Sequence, residues 1–133
     1  MITEIKIILL IDDVEENREI LKRRLERDGF EVITAKNGKE GLDALQDHHV
    51  DLILLDINMP VMDGNTFLKM AKSDTRYSCI PVIILTAVDD MGVVIKSMRA
   101  GACGYLTKPF NMDQIRTQID HCLGGDAPPE QPA

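Results

Sequence analysis

Five residues carry most of the chemistry this sequence offers, and each stands at or near the end of an apolar run. Asp12 and Asp13 follow Ile7–Ile11, Asp56 follows Val50–Leu55, Thr86 follows Pro81–Leu85, and Lys108 comes just after Gly104–Leu106. In an open parallel sheet, ligands bind beyond the carboxyl ends of the strands, so these side chains should meet on one edge. Neighbouring strands lie about 4.8 Å apart, and three carboxylates at that spacing repel one another unless a cation joins them. An oxygen-only set that leaves places for water and a phosphoryl oxygen suits Mg²⁺ better than Zn²⁺. The Lys108 ammonium and the Thr86 hydroxyl would neutralise the outer oxygens of a phosphoryl group in flight. One carboxylate could then act as nucleophile and form an acyl phosphate. A single Asp after a strand is often only a helix cap; five such residues at successive strand ends point to a site.

The elements that must position them follow from the apolar pattern. Ile7–Ile11, Val50–Leu55 and Pro81–Leu85 are continuous apolar runs rich in branched residues, as expected of parallel strands buried on both faces. Glu31–Ala35 and Gly104–Leu106 are shorter or more polar and suit the sheet edges. Between them, Ile20, Leu21 and Leu25 stripe a charged helix over about 15–28, with Gly29 ending it. Leu42 and Leu45 mark a helix over 39–48, and Phe67, Leu68 and Ala71 mark one after Gly64. Val94, Met98 and Ala102 mark a fourth, and Ile115, Ile119 and Cys122 a fifth that stops at Gly124–Gly125. Strands alternating with helices give a doubly wound α/β sheet, because right-handed crossovers put helices on both faces.

With these motifs in place, the chain resembles the receiver domain of two-component response regulators. The matching segments are Ile8–Asp13, Leu55–Gly64 (Leu-Asp-Ile-Asn-Met-Pro-Val-Met-Asp-Gly), Ile84–Ala87, Ala100–Ala102 and Tyr105–Phe110. The resemblance implies a flavodoxin-like (βα)5 sandwich with strand order 2-1-3-4-5. It implies that Asp56 accepts a phosphoryl group from a histidine kinase or phosphotransfer protein. Asp13 and Asp56 would ligate Mg²⁺ directly, Asn58 through its backbone carbonyl and Asp12 through water. Lys108 would pair with the phosphoryl group, and the Lys108–Pro109 bond would be cis. Thr86 and Tyr105 would be the switch residues, coupling the new charge on Asp56 to the face formed by the fourth helix, fifth strand and fifth helix. An output domain, a downstream protein or a homodimer would read that face. The chain itself would be a signalling receiver, catalysing only its own phosphorylation and dephosphorylation. In the subgroup with winged-helix outputs, an acidic pair commonly precedes the Tyr105 position. Cys103 and Gly104 stand there instead, which removes the charged network of that subgroup's dimer contact. Apolar Val88 offers no polar group to position an attacking water, so a long-lived acyl phosphate is expected.

Composition bounds the alternatives. The chain has 133 residues with a formal net charge of -7, an acidic balance unsuited to direct contact with nucleic acid or an anionic membrane. Five aromatic rings and no Trp make no stacking platform. No signal segment and no membrane-length apolar run is visible, so a cytoplasmic domain over 1–124 is expected. The Pro-rich stretch 125–133 reads as a disordered tail or the start of a linker. Cys79, Cys103 and Cys122 form no paired framework and are expected as reduced thiols. Lys22, Arg23 and Arg24 read as a solvated face, with kinase docking as the functional alternative. A phosphatase with an aspartyl nucleophile would need an acid where Asn58 stands. A flavin module would place its phosphate against Asp12 and Asp13, which would repel it.

Overall fold

The computed structural model describes residues 5–57, 64–87 and 91–124. Strands β1 (Ile7–Ile11), β2 (Glu31–Ala35), β3 (Leu52–Asp56), β4 (Val82–Ala87) and β5 (Gly104–Lys108) alternate with helices α1 (Glu15–Arg27), α2 (Gly38–Asp47), α3 (Gly64–Ser73), α4 (Met91–Arg99) and α5 (Met112–Leu123). The strands form one parallel sheet in the order β2-β1-β3-β4-β5. This is the doubly wound sheet that the apolar runs imply, in the flavodoxin-like strand order that the family resemblance implies.

Alternation along the strands builds two cores. Leu9, Ile11, Ile53, Leu55 and Ile84 face one side, where Leu45, Phe67 and Leu68 of α2 and α3 cover them. Ile8, Leu10, Leu52, Leu54 and Ile83 face the other, under Leu21 and Leu25 of α1 and Ile115 and Ile119 of α5. Each fully buried Leu or Ile contributes about 2 kcal/mol of apolar burial, so the centre of the sheet is the firmest part on which to mount a site.

The structure shifts several boundaries. Val50 is buried but precedes β3, because Asp51 first ties the two strand starts together. Its backbone N–H donates to Ile7 O at 2.8 Å, and its carboxylate accepts from the Ile7 N–H at 2.8 Å. Burial pushes the Asp51 carboxyl up, but the Ile7 hydrogen bond and the neighbouring His49 ring outweigh this and hold it below its ordinary value. β4 and β5 run on through Ala87 and Lys108, so Thr86 and Lys108 sit on strands rather than beyond them. Ile20, expected in the α1 stripe, is 50% exposed, and Met98 of α4 is also exposed. Only Leu21 and Leu25 of α1 are buried. Nor are all three cysteines reduced thiols. Cys103 and Cys122 are joined in a disulfide with their Cα atoms 6.2 Å apart, and Cys79 alone is free. The sequence shows no pairing because the two lie 19 residues apart and meet only once α5 has packed back on β5.

Candidate functional site

Asp12 leaves β1 at the sheet centre and is held from several directions. Its N–H donates to Ala35 O at 3.1 Å, its Oδ1 accepts from the Val14 N–H at 2.9 Å, and its carbonyl accepts from the Arg18 guanidinium at 2.7 Å. Helix α1 begins after Val14, which makes no side-chain cap bond. Asp12 therefore orders the turn into the helix without being its cap, and its Oδ2 still faces the site. Asp56 is the last residue of β3, in register with Leu85 of β4. The next residue, Ile57, is locked by bonds from its N–H to Leu85 O at 3.1 Å and from the Gly64 N–H to its carbonyl at 3.0 Å. A Cβ on Gly64 would fall 2.6 Å from Ile57 Cα. Glycine at this place is thus what lets α3 start directly beside the carboxylate.

Asp12 and Asp56 are buried, at 2% and 5% exposure, while Asp13 is exposed. One ligand oxygen from each of the three lies within 4.8 Å of the others. The Lys108 ammonium stands 3.4 Å from Asp56 Oδ2 and 3.6 Å from Asp12 Oδ2. One ammonium facing three carboxylates leaves an excess of negative charge in a partly dry setting, an arrangement that favours a further cation. With oxygen donors alone and no Cys or His in the cluster, the residues fit a hard divalent ion such as Mg²⁺ rather than Zn²⁺.

Thr86 is fully buried, and its Oγ1 has no hydrogen-bond partner among the described residues. An unmet buried hydroxyl costs free energy. It lies beside Thr107 in the β4–β5 register, with Lys108 one step further beside Ala87. The Lys108–Pro109 peptide bond is cis. Tyr105 lies on the edge strand with 38% of its surface exposed. A cleft of about 320 Å³ opens on the α1 side of the carboxylates, lined by Asp12, Asn17, Ile20, Lys108 and Phe110 among others.

The structure therefore brings Asp12, Asp13, Asp56 and Lys108 together, places Thr86 on the strand next to Asp56, and leaves Tyr105 on the outer edge. Asn58 and Val88 lie outside the described residues. The sequence reading missed Arg18. Its clue is only its place in the first turn of α1, where a long cation can reach back to a strand-end carbonyl.

The model of the response regulator receiver domain family matches residues 8–120. The regulatory protein AtoC of Escherichia coli is 37% identical over 91% of this chain, and the alignment spans 26% of AtoC. The chain thus spans about a quarter of the length of such curated relatives. Among solved structures, the chemotaxis protein CheY4 of Vibrio cholerae superposes with a TM-score of 0.85 at 32% identity, covering 90% of this chain and 100% of CheY4. A response regulator from Chloroflexus aurantiacus superposes with a TM-score of 0.87 at 29% identity, covering 91% of this chain and 99% of that one. The carboxylate edge, the strand order and these likenesses agree: the chain belongs to the response regulator receiver domain family of two-component signalling.

Proposed function

We propose that this receiver accepts a phosphoryl group on Asp56 from the phosphohistidine of a sensor histidine kinase or phosphotransfer protein. The observation that carries this reading is the clamp of Lys108 on Asp12 and Asp56 at hydrogen-bond to ion-pair distance. The Asp56 carboxylate attacks phosphorus in line with the donor nitrogen. The P–N bond breaks as the O–P bond forms, and the imidazole leaves neutral because its other ring nitrogen carries a proton. Lys108 turns from the carboxylates toward the incoming phosphoryl oxygens. Asp12, Asp13, Asp56 and the carbonyl of Asn58 would hold Mg²⁺, which when bound supplies positive charge against the donor's oxygens.

The phosphoryl group brings acceptor oxygens to a place where the Thr86 hydroxyl lacks a partner. Thr86 then donates to it, and the space it vacates admits the Tyr105 ring. The switch is read on the α4–β5–α5 side, where Met91, Ile95, Met98 and Tyr105 are all exposed; an output domain, a downstream protein or a second copy of the chain covers them. The donor docks along α1, where exposed Ile20 adjoins Arg23, Arg24 and Arg27. The receiver unit is residues 1–124; the stretch 125–133, read from the sequence as a tail or linker, lies outside the described residues. It works in the cytoplasm, touches neither nucleic acid nor membrane directly, and turns over no substrate beyond its own acyl phosphate. No helix among the described residues is long and apolar enough to cross a membrane.

The test is incubation with Mg²⁺ and acetyl phosphate. An acid-labile mobility shift that Asp56→Asn abolishes is expected. Absence of the shift in the wild-type chain, or its survival in the variant, would overturn the proposal.

A further inference from the structure

The disulfide lies at the other end of β5 from the carboxylates, and nothing in phosphoryl transfer uses it. Cys103 directly precedes β5 and is fastened to the sheet by its N–H, which donates to Val82 O at 2.7 Å. Cys122 belongs to the last turn of α5 and packs against the α1–α5 core. The bond therefore joins a fixed point of the sheet to the end of the last helix. Gly104 lies between β5 and α5 at this point: a Cβ there would sit 3.9 Å from Cys122 Sγ, in ordinary contact, and 2.3 Å from Gln118 Oε1, the end of a flexible side chain that can turn aside.

Two further observations separate this bond from a sealed structural staple. Both cysteines are only partly buried. Cys103 also lines a recess of about 110 Å³ with Tyr105, Gln118 and His121, so the bond lies beside open space rather than inside the core. Disulfides within reach of solvent are more labile than sealed ones, and in a reducing compartment, the location proposed above, a disulfide is usually redox-sensing rather than permanent.

We infer that Cys103 and Cys122 form a reversible thiol–disulfide exchange site, taking small-molecule disulfides of the glutathione class, that fastens the end of α5 to the sheet beside Tyr105. The Cys103 thiolate attacks one sulfur of the small disulfide. That S–S bond breaks, one thiol leaves, and Cys103 carries a mixed disulfide. Cys122 then attacks Cys103 Sγ and expels the second thiol. Two protein S–H bonds and one reagent S–S bond become one protein S–S bond and two reagent S–H bonds. The protein loses two electrons and the reagent gains them. Oxidation fixes one border of the exposed α4–β5–α5 side, while the carboxylate edge, a strand length away, keeps its geometry.

The experiment starts from Cys79→Ser, which removes the exposed free thiol. Fully reduced protein is treated with glutathione disulfide, then analysed by intact mass and thiol titration. The expected product has no free thiol, a mass lower by two hydrogens and no retained glutathione, and dithiothreitol restores both thiols. Adding Cys122→Ser should trap one glutathione on Cys103. Amide exchange over 120–123 should slow at least tenfold on oxidation, while the acetyl phosphate reaction stays within twofold. Two thiols or two glutathiones persisting after treatment would overturn the exchange site. Equal amide exchange in the two states would overturn the fastening of α5. Because the thiol chemistry is read without phosphorylation, its failure is distinct from a failure of Asp56 to accept phosphate.

Discussion

Thr86 presents a buried hydroxyl with nothing among the described residues to hold it. Such a group costs about 1–3 kcal/mol relative to an apolar one of the same shape. Thr86→Val should therefore stabilise the resting fold by about 1 kcal/mol in urea denaturation, while breaking the link between phosphorylation and partner binding. A loss of stability would mean that the hydroxyl has a partner after all. Asp51 illustrates the opposite case, a polar side chain fully used. Its depressed folded-state value means that its stabilisation is whole above the ordinary 3.8 and is lost as pH falls through the lower folded value. Asp51→Asn should cost about 1.5 kcal/mol at neutral pH. The gap from wild type should close in acid, as paired denaturation curves across pH would show. The meeting of Asp12, Asp13, Asp56 and Lys108 was legible because they are few, polar and placed at or near the ends of apolar runs. Arg18 was not, since its bond to the Asp12 carbonyl depends on the angle at which α1 leaves the sheet. Cys103 and Cys122 were not, since pairing is a matter of distance in space.

Helix ends and close approaches decide how well each element presents its residue. Helix α5 starts with a capping box, in which Asn111 Oδ1 accepts from the Gln114 N–H at 2.8 Å and Gln114 Oε1 accepts from the Asn111 N–H at 2.9 Å. Asn111→Ala should lower stability by about 1 kcal/mol, measured by chemical denaturation, with a second effect on the order of the Lys108–Pro109 turn just before it. Gly64→Ala is the harsher change, because the new methyl would collide with Ile57 backbone beside Asp56. It should cost about 2–3 kcal/mol and slow phosphorylation together, whereas a variant that loses stability with an unchanged rate would show that the site tolerates movement of α3. The apolar runs gave element type and order directly, and the ends of β4 and β5 were misjudged for one reason. Thr86, Thr107 and Lys108 look like loop residues by type, but the register of neighbouring strands carries them on as ladder partners. The exposure of Ile20 and Met98 likewise depends on how far each helix rolls on the sheet, which a stripe of apolar residues defines only to within about one position.

At the scale of the molecule, three of the 22 acidic residues are gathered on one edge of a chain with a net charge of -7. Binding that engages only the folded carboxylate edge must stabilise the fold. At Mg²⁺ a hundredfold above its dissociation constant the gain is about 2.7 kcal/mol. A thermal melt should therefore rise with Mg²⁺ and fall back with a chelator, and Asp13→Asn should blunt the rise. A melt indifferent to Mg²⁺ would remove the metal from the reading of the site. The strand order has one more consequence, and it concerns synthesis. β1 lies between β2 and β3, so its first flank can pair once residues up to Ala35 have emerged, while its second stays open until β3 follows. During that interval Ile7–Ile11, the run that ends at the carboxylates, is an uncovered apolar edge. A stretch that later lies largely buried within the sheet is thus an aggregation-prone edge on the ribosome.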